Sequence, residues 1–111
     1  LQNIPHIPVL YKEVTEAFKD LKEGIVIDCT MGYGGHTSMI LEANPNIKVI
    51  AIDQDQTAID FSSKRLFKYE ERVSIRKGRF STVMKEILQE VNPEEIKGIL
   101  ADIGVSSLQL D

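Results

Sequence analysis

Four short runs dominated by aliphatic and β-branched residues punctuate the chain: IVIDCT at 25–30, IKVIAID at 47–53, VSIRK at 73–77 and GILADIG at 98–104. A nearly continuous apolar run of this length reads as a strand covered on both faces, the condition met inside a parallel sheet. Each gap between the runs is long enough for a helix and carries helical spacing of apolar residues. Strand alternating with helix in this way predicts an α/β architecture with crossover connections. The expected fold is a partial doubly wound, Rossmann-like parallel sheet of about four strands, roughly half of the full arrangement.

The helices are placed by periodicity and punctuation. Residues 1–10, LQNIPHIPVL, hold two prolines and read as an extended arm. A helix is expected over 11–21, with Val14, Ala17, Phe18 and Leu21 forming one apolar stripe, and Gly24 ending it. Helices are also predicted over 35–43, closed by NPN, and over 56–69, with Ala58, Ile59, Ser62 and Leu66 on one face. A last one should be capped by Ser81 and run over 82–91, gathering Val83, Ile87, Leu88 and Val91. Residues 1–24 are thus an arm and helix, and residues 25–111 the amino-terminal half of a core. Only VSSLQLD follows the fourth run, so the remaining strands are expected from further polypeptide or from a partner.

Composition removes several function classes. With 111 residues and 42% hydrophobic content, one compact domain is expected. No apolar run approaches the roughly 20 residues of a membrane span, and no basic-then-apolar leader pattern opens the chain. The sequence reads as cytoplasmic. Cys29 is the single cysteine, expected as a buried thiol, and His6 and His36 lie far apart, so no metal-ligand cluster is predicted. The net charge of −4 is unevenly spread: the window from Lys64 to Arg79 carries a local +5, leaving −9 elsewhere. Such a window could meet phosphate, but its few aromatics favour an ordinary solvated surface.

The chemistry concentrates in DCTMGYGGH, Asp28 to His36, directly after the first strand. Gly32, Gly34 and Gly35 permit positive φ and close approach of a ligand to the backbone. Asp53 ends the second strand twenty-one residues after Gly32, the spacing at which an acidic side chain takes up ribose hydroxyls. The dinucleotide pattern G-x-G-x-x-G fails at its third glycine, where Thr37 stands. Asp28 would repel a pyrophosphate yet could pair with a ligand amine. Asp28, Asp53 and Asp102, each at or near a strand end, suit a ligand with adenosine and positive charge but no phosphate. S-adenosylmethionine meets that description.

With these residues in place, the sequence resembles the amino-terminal part of the bacterial small-subunit ribosomal RNA cytosine-N4 methyltransferases, the MraW or RsmH family. The resemblance rests on HIPVL at 6–10, DCTMGYGGH at 28–36, AIDQD at 51–55, GRFS at 78–81 and ADIGVSSLQLD at 101–111. It implies an S-adenosylmethionine-dependent enzyme acting on the N4 amine of a cytidine in small-subunit ribosomal RNA or the assembled small subunit. It further implies cofactor contacts from Gly34, Gly35, His36, Asp53, Phe80, Asp102 and Gln109, with Asp102 also the catalytic candidate that accepts a hydrogen bond from the amine. Family members continue well beyond QLD, so the isolated chain is expected to be inactive on RNA and to bind cofactor weakly. Two other readings stay open: a methyltransferase of a different substrate, and a non-catalytic nucleotide-binding module.

Overall fold

The computed structural model describes residues 19–100. Four strands form one sheet: β1 (Gly24–Asp28), β2 (Ile47–Asp53), β3 (Val73–Lys77) and β4 (Ile96–Leu100). Three helices alternate with them: α1 (Gly35–Ala43), α2 (Gln56–Arg65) and α3 (Phe80–Glu90). The order across the sheet is β3-β2-β1-β4 and every pairing is parallel. This is the predicted partial doubly wound sheet. Register aligns Asp28 with Ala51 on one side and Leu100 on the other, and Asp53 with Lys77, so the carboxyl ends of the strands share one edge.

The sheet separates two apolar layers. Val26, Met31, Ile40, Leu41, Ile47, Val49 and Leu66 form the layer under α1 and α2. Ile27, Cys29, Ile50, Ile52, Val83 and Ile87 form the layer under α3. Alternation along β1 therefore sends Val26 and Asp28 towards α1, and Ile27 towards α3. That parity decides what the first strand's carboxylate can reach.

Several boundaries depart from the sequence expectation. The helix predicted over 11–21 lies outside the described residues as far as 18, and Lys19 and Asp20 form a turn. The helix predicted over 56–69 stops at Arg65, after which Phe67–Tyr69 tighten into a 3-10 turn closed by Glu70 N–H on the Phe67 carbonyl at 3.0 Å. Ser81 is not the cap of the last helix. Arg79 takes the extended N-cap conformation, and the Val83 amide donates to its carbonyl at 2.9 Å, placing Ser81 inside the first turn. Leu88, grouped with the apolar stripe, is exposed instead. β4 begins at Ile96, out of the Pro93–Glu95 turn, and the predicted continuation over 101–104 lies outside the described residues.

The amino-terminal edge of the sheet is closed by two side chains. Arg72 donates to the carbonyls of Leu41, Asn44 and Ile47 at 2.8–3.1 Å, satisfying acceptors at and beyond the end of α1 that a helix leaves unpaired. Buried Asn44 donates to the carbonyl of Leu21 at 2.7 Å and accepts from the Asn46 amide at 2.9 Å. Arg72 was part of the basic window; its charge is used within the fold. Arg76 likewise forms a two-pronged pair with Glu90, at 2.8 and 3.0 Å. No described helix is long and apolar enough to cross a membrane.

Candidate functional site

The opposite edge, where the strands end, is occupied by the loop from Cys29 to Gly34. Backbone bonds stitch it to both neighbouring strands: Cys29 N–H donates to the Leu100 carbonyl at 2.7 Å, and Met31 N–H to the Ile52 carbonyl at 3.0 Å. Met31 is buried under α1 and α2, anchoring the loop's centre. From the side, Ser62 of α2 donates to the Gly32 carbonyl at 2.7 Å and Arg65 to the Tyr33 carbonyl at 3.1 Å. The loop is thus held by strands and by a helix before any ligand arrives.

Its two left-handed glycines do different work. Gly34, at φ 87°, is the N-cap of α1, and a Cβ there would meet Ser62 Oγ at 3.3 Å and Leu66 Cδ1 at 3.4 Å. Its clearance is against α2, not against a ligand. Gly32, at φ 55°, would place a Cβ with nothing within 4 Å. The open side of the loop is therefore at Gly32, a position the sequence reading quoted but did not include among the contacts.

The two strand-end carboxylates also divide. Asp53 Oδ2 accepts the Gly32 amide at 2.8 Å and Oδ1 accepts the Asp55 amide at 2.9 Å. A carboxylate offers about four acceptor positions, so roughly two remain for a ligand hydroxyl, and the residue is half-buried. Asp28 is 1% exposed. Its Oδ2 accepts the Thr37 hydroxyl at 2.6 Å and its Oδ1 the Thr30 amide at 3.2 Å. The expected pairing of Asp28 with a ligand amine is not available from this position, because the carboxyl faces Thr37 inside the α1 layer. Thr37, which breaks the dinucleotide pattern, is the residue that bonds α1 to the end of β1.

Electrostatics follow from this burial. Desolvation pushes the Asp28 carboxyl above its ordinary value; the Thr37 and Thr30 bonds oppose the rise and the Asp53 charge adds to it. Cys29 is pushed up to about 11, mainly by burial and further by Asp28. It is the protonated, buried thiol that composition predicted.

Of the other expected contacts, Gly35 and His36 open α1, both half-buried, at the same edge as Asp53. Phe80 opens α3 beyond the end of β3, reached through a turn in which the Gly78 amide donates to the Asp53 carbonyl at 3.0 Å. It is half-buried and packed against the layer under α3, so part of its ring is already committed to the core. Asp102 and Gln109 lie outside the described residues. Sequence reasoning missed Ser62 and Arg65 as loop anchors. The signal was a serine on the buried stripe of α2, where a hydroxyl needs a partner. Among the described residues no group of acidic, histidine or cysteine side chains could hold a metal ion.

The glycine loop, bonded to the acidic end of the next strand, lies outside the carboxyl ends of the strands, where doubly wound sheets bind their ligands. The model of the MraW methylase family matches residues 3–111. The chain belongs to the MraW methylase family. Among curated relatives, the ribosomal RNA small subunit methyltransferase H of Sulfurimonas denitrificans is 74% identical over the whole chain, which covers 36% of that protein. Its counterpart in a Nitratiruptor species is 55% identical over 98% of the chain and 35% of that protein. The chain thus spans about a third of the length of these relatives. A solved rRNA methylase from Streptococcus thermophilus matches with a TM-score of 0.65 at 24% identity, over 94% of this chain and 58% of that one. An O-methyltransferase from Bacillus cereus, solved in complex with SAH, matches with a TM-score of 0.72 at 14% identity, over 86% and 44%. At these identities the likeness is one of fold.

Proposed function

We propose that this chain supplies the S-adenosylmethionine-binding part of an enzyme that methylates the N4 amine of a cytidine in small-subunit ribosomal RNA. The observation that carries the reading is the bridge from Asp53 to the Gly32 amide, beside the open face of Gly32. It sets a carboxylate with spare acceptor capacity next to a glycine whose Cα side is unobstructed, an arrangement suited to ribose hydroxyls on one side and an amino-acid moiety on the other. Membership in the MraW family and the names of the relatives support small-subunit ribosomal RNA as the substrate, and the cytidine N4 amine follows from the sequence resemblance.

In this reading S-adenosylmethionine, when bound, supplies an electrophilic methyl group on sulfonium. The chain's residues bind and orient. Asp53 accepts from the ribose, the Gly32 to Gly35 backbone lines the methionine end, and Phe80 covers the adenine with the part of its ring not held by the core. His36 closes the loop side. Asp28 acts one layer back: by holding Thr37 it fixes where α1 starts, and so where the Gly34 and Gly35 backbone lies. A cytosine amine is a weak nucleophile because its lone pair is delocalised into the ring. Asp102, by resemblance, accepts a hydrogen bond from that amine and holds its proton as the bond to carbon forms. Gln109 joins the cofactor contacts on the same basis.

Titration calorimetry of the 111-residue chain with S-adenosylmethionine and, separately, NAD tests the cofactor. Binding of the first with no heat from the second is the expected result; equal or tighter binding of NAD overturns it. The same chain is expected not to methylate assembled small subunits by itself. The complete protein should do so, with the label recovered as N4-methylcytidine on nucleoside analysis; label on another base or on protein would sink the substrate assignment.

A further inference from the structure

The Tyr33 and Phe61 rings stand half in solvent, 54% and 51% exposed, although two aromatic side chains of this size would ordinarily be covered. They meet edge to face, with centroids 5.0 Å apart and planes at 78°. Tyr33 comes from the glycine loop, one residue past the open face of Gly32, and Phe61 from α2. Phe61, Lys64 and Arg65 recur at the three- and four-residue spacing that shares a helix face. Lys68 follows in the next turn, its amine over the Tyr69 ring at 5.3 Å from the centroid, beside Phe67, itself 66% exposed. Arg65 donates to the Tyr33 carbonyl at 3.1 Å, tying the aromatic pair to the basic ridge.

By sequence, the basic window looked poor in aromatics. The fold brings Tyr33 and Phe61, both outside that window, to its edge.

We propose that this ridge binds single-stranded RNA flanking the target base, with a base stacked on the Tyr33–Phe61 pair and phosphates on Lys64, Arg65 and Lys68. Rings interleaved with cations match a ligand whose bases present π faces and whose backbone is anionic. A duplex hides its base faces, and a second copy of this chain would set the three cations against their own kind. The assignment rests on the methyltransferase reading for its relevance. A strand that delivers a base to the loop has to pass the loop's rim, and Tyr33 is on that rim.

Fluorescence anisotropy of the 111-residue chain with a labelled single-stranded RNA of about twelve nucleotides tests it, beside a duplex of equal length and inorganic polyphosphate. The single strand should bind more tightly than the duplex. Phe61→Ala should weaken single-strand binding about fivefold or more, Phe61→Tyr should retain it, and polyphosphate binding should not change. Lys64→Gln with Lys68→Gln should reduce the slope of log affinity against log salt from about −2 to about −0.7. Unchanged thermal midpoints show that the variants fold. Single-strand affinity indifferent to Phe61→Ala overturns the proposal, as does equal loss on all three probes, or self-association in sedimentation that Phe61→Ala abolishes. S-adenosylmethionine titration separates the two readings: cofactor binding with no RNA effect sinks only this surface, while RNA stacking without cofactor binding sinks only the proposed function.

Discussion

β1 and β2 are adjacent, parallel and end alike, each delivering an aspartate to the same edge of the sheet. Their chemistry differs because of what lies over each end. Asp28 points into the layer under α1, is 1% exposed, and has its oxygens taken by Thr37 and Thr30. Asp53 is half-buried at the rim and is bonded to two backbone amides, Gly32 and Asp55. The first carboxyl is a structural tie between a strand and the following helix. The second shapes the loop and still has acceptor positions facing outward. An acidic residue at a strand end is therefore not by itself a ligand contact; parity along the strand and the partner supplied by the next helix decide.

Replacing each aspartate should separate binding from stability. Asp53→Ala is expected to lower S-adenosylmethionine affinity about a hundredfold, the effect of losing two hydrogen bonds to a charged acceptor at about 1.5 kcal/mol each. Its effect on folding should be smaller, about 1 kcal/mol, because the two amides it leaves lie near solvent. Calorimetry of the variant checks this, and cofactor affinity within threefold or so of the parent would remove Asp53 from the site. Asp28→Ala should show the opposite pattern. It leaves the Thr37 hydroxyl and Thr30 amide without their acceptor, for a loss of about 2 kcal/mol in urea unfolding. Cofactor affinity of the folded variant should fall less than in Asp53→Ala. If Asp28→Ala loses the cofactor while keeping its stability, the two roles have been assigned the wrong way round.

Much of this edge was legible in the amino-acid order, and the parts that were not share a physical cause. The strands over 47–53 and 73–77 and the helix over 35–43 fall on the predicted residues, because a glycine or asparagine marks at least one end of each. Asp53 and the glycine loop were found by spacing along the chain. The Asp28–Thr37 bond was not, since it exists only once α1 folds back over β1 and the strand's parity is known. Gly34 looked like ligand clearance, but its neighbours Ser62 and Leu66 are about thirty residues away and belong to another helix. The same holds for the basic window. Arg72 and Arg76 read as surface charge until their partners, three backbone carbonyls and Glu90, are placed beside them. The helix cap at Ser81 failed for a local reason: Gly78, at φ 149°, turns the chain so that Arg79 already has the N-cap conformation.

The smallest expected effect gives the sharpest contrast between the two aspartates. Burial raises the Asp28 carboxyl above 3.8, so the folded state holds its proton more tightly than the unfolded chain does. By linkage, Asp28 makes stability fall as pH rises from its unfolded value through its folded one, and flatten above. Glu90 acts in the other direction. Its pKa is lowered by Arg76, so its contribution is present above 4.5 and is lost as pH falls through the folded value. A pH series on the parent chain mixes both trends. Asp28→Asn separates them, because the amide can accept from Thr30 or Thr37 and donate to the Thr37 hydroxyl, filling the site with no proton to bind. Urea midpoints measured across the acid range should give a parent-minus-variant difference that declines as pH rises and then levels, with the Glu90 component cancelled. A difference that instead grows with pH would mean that Asp28 is stabilised as the anion. The end of β1 would then be a charged site like the end of β2, and the contrast between them would fail.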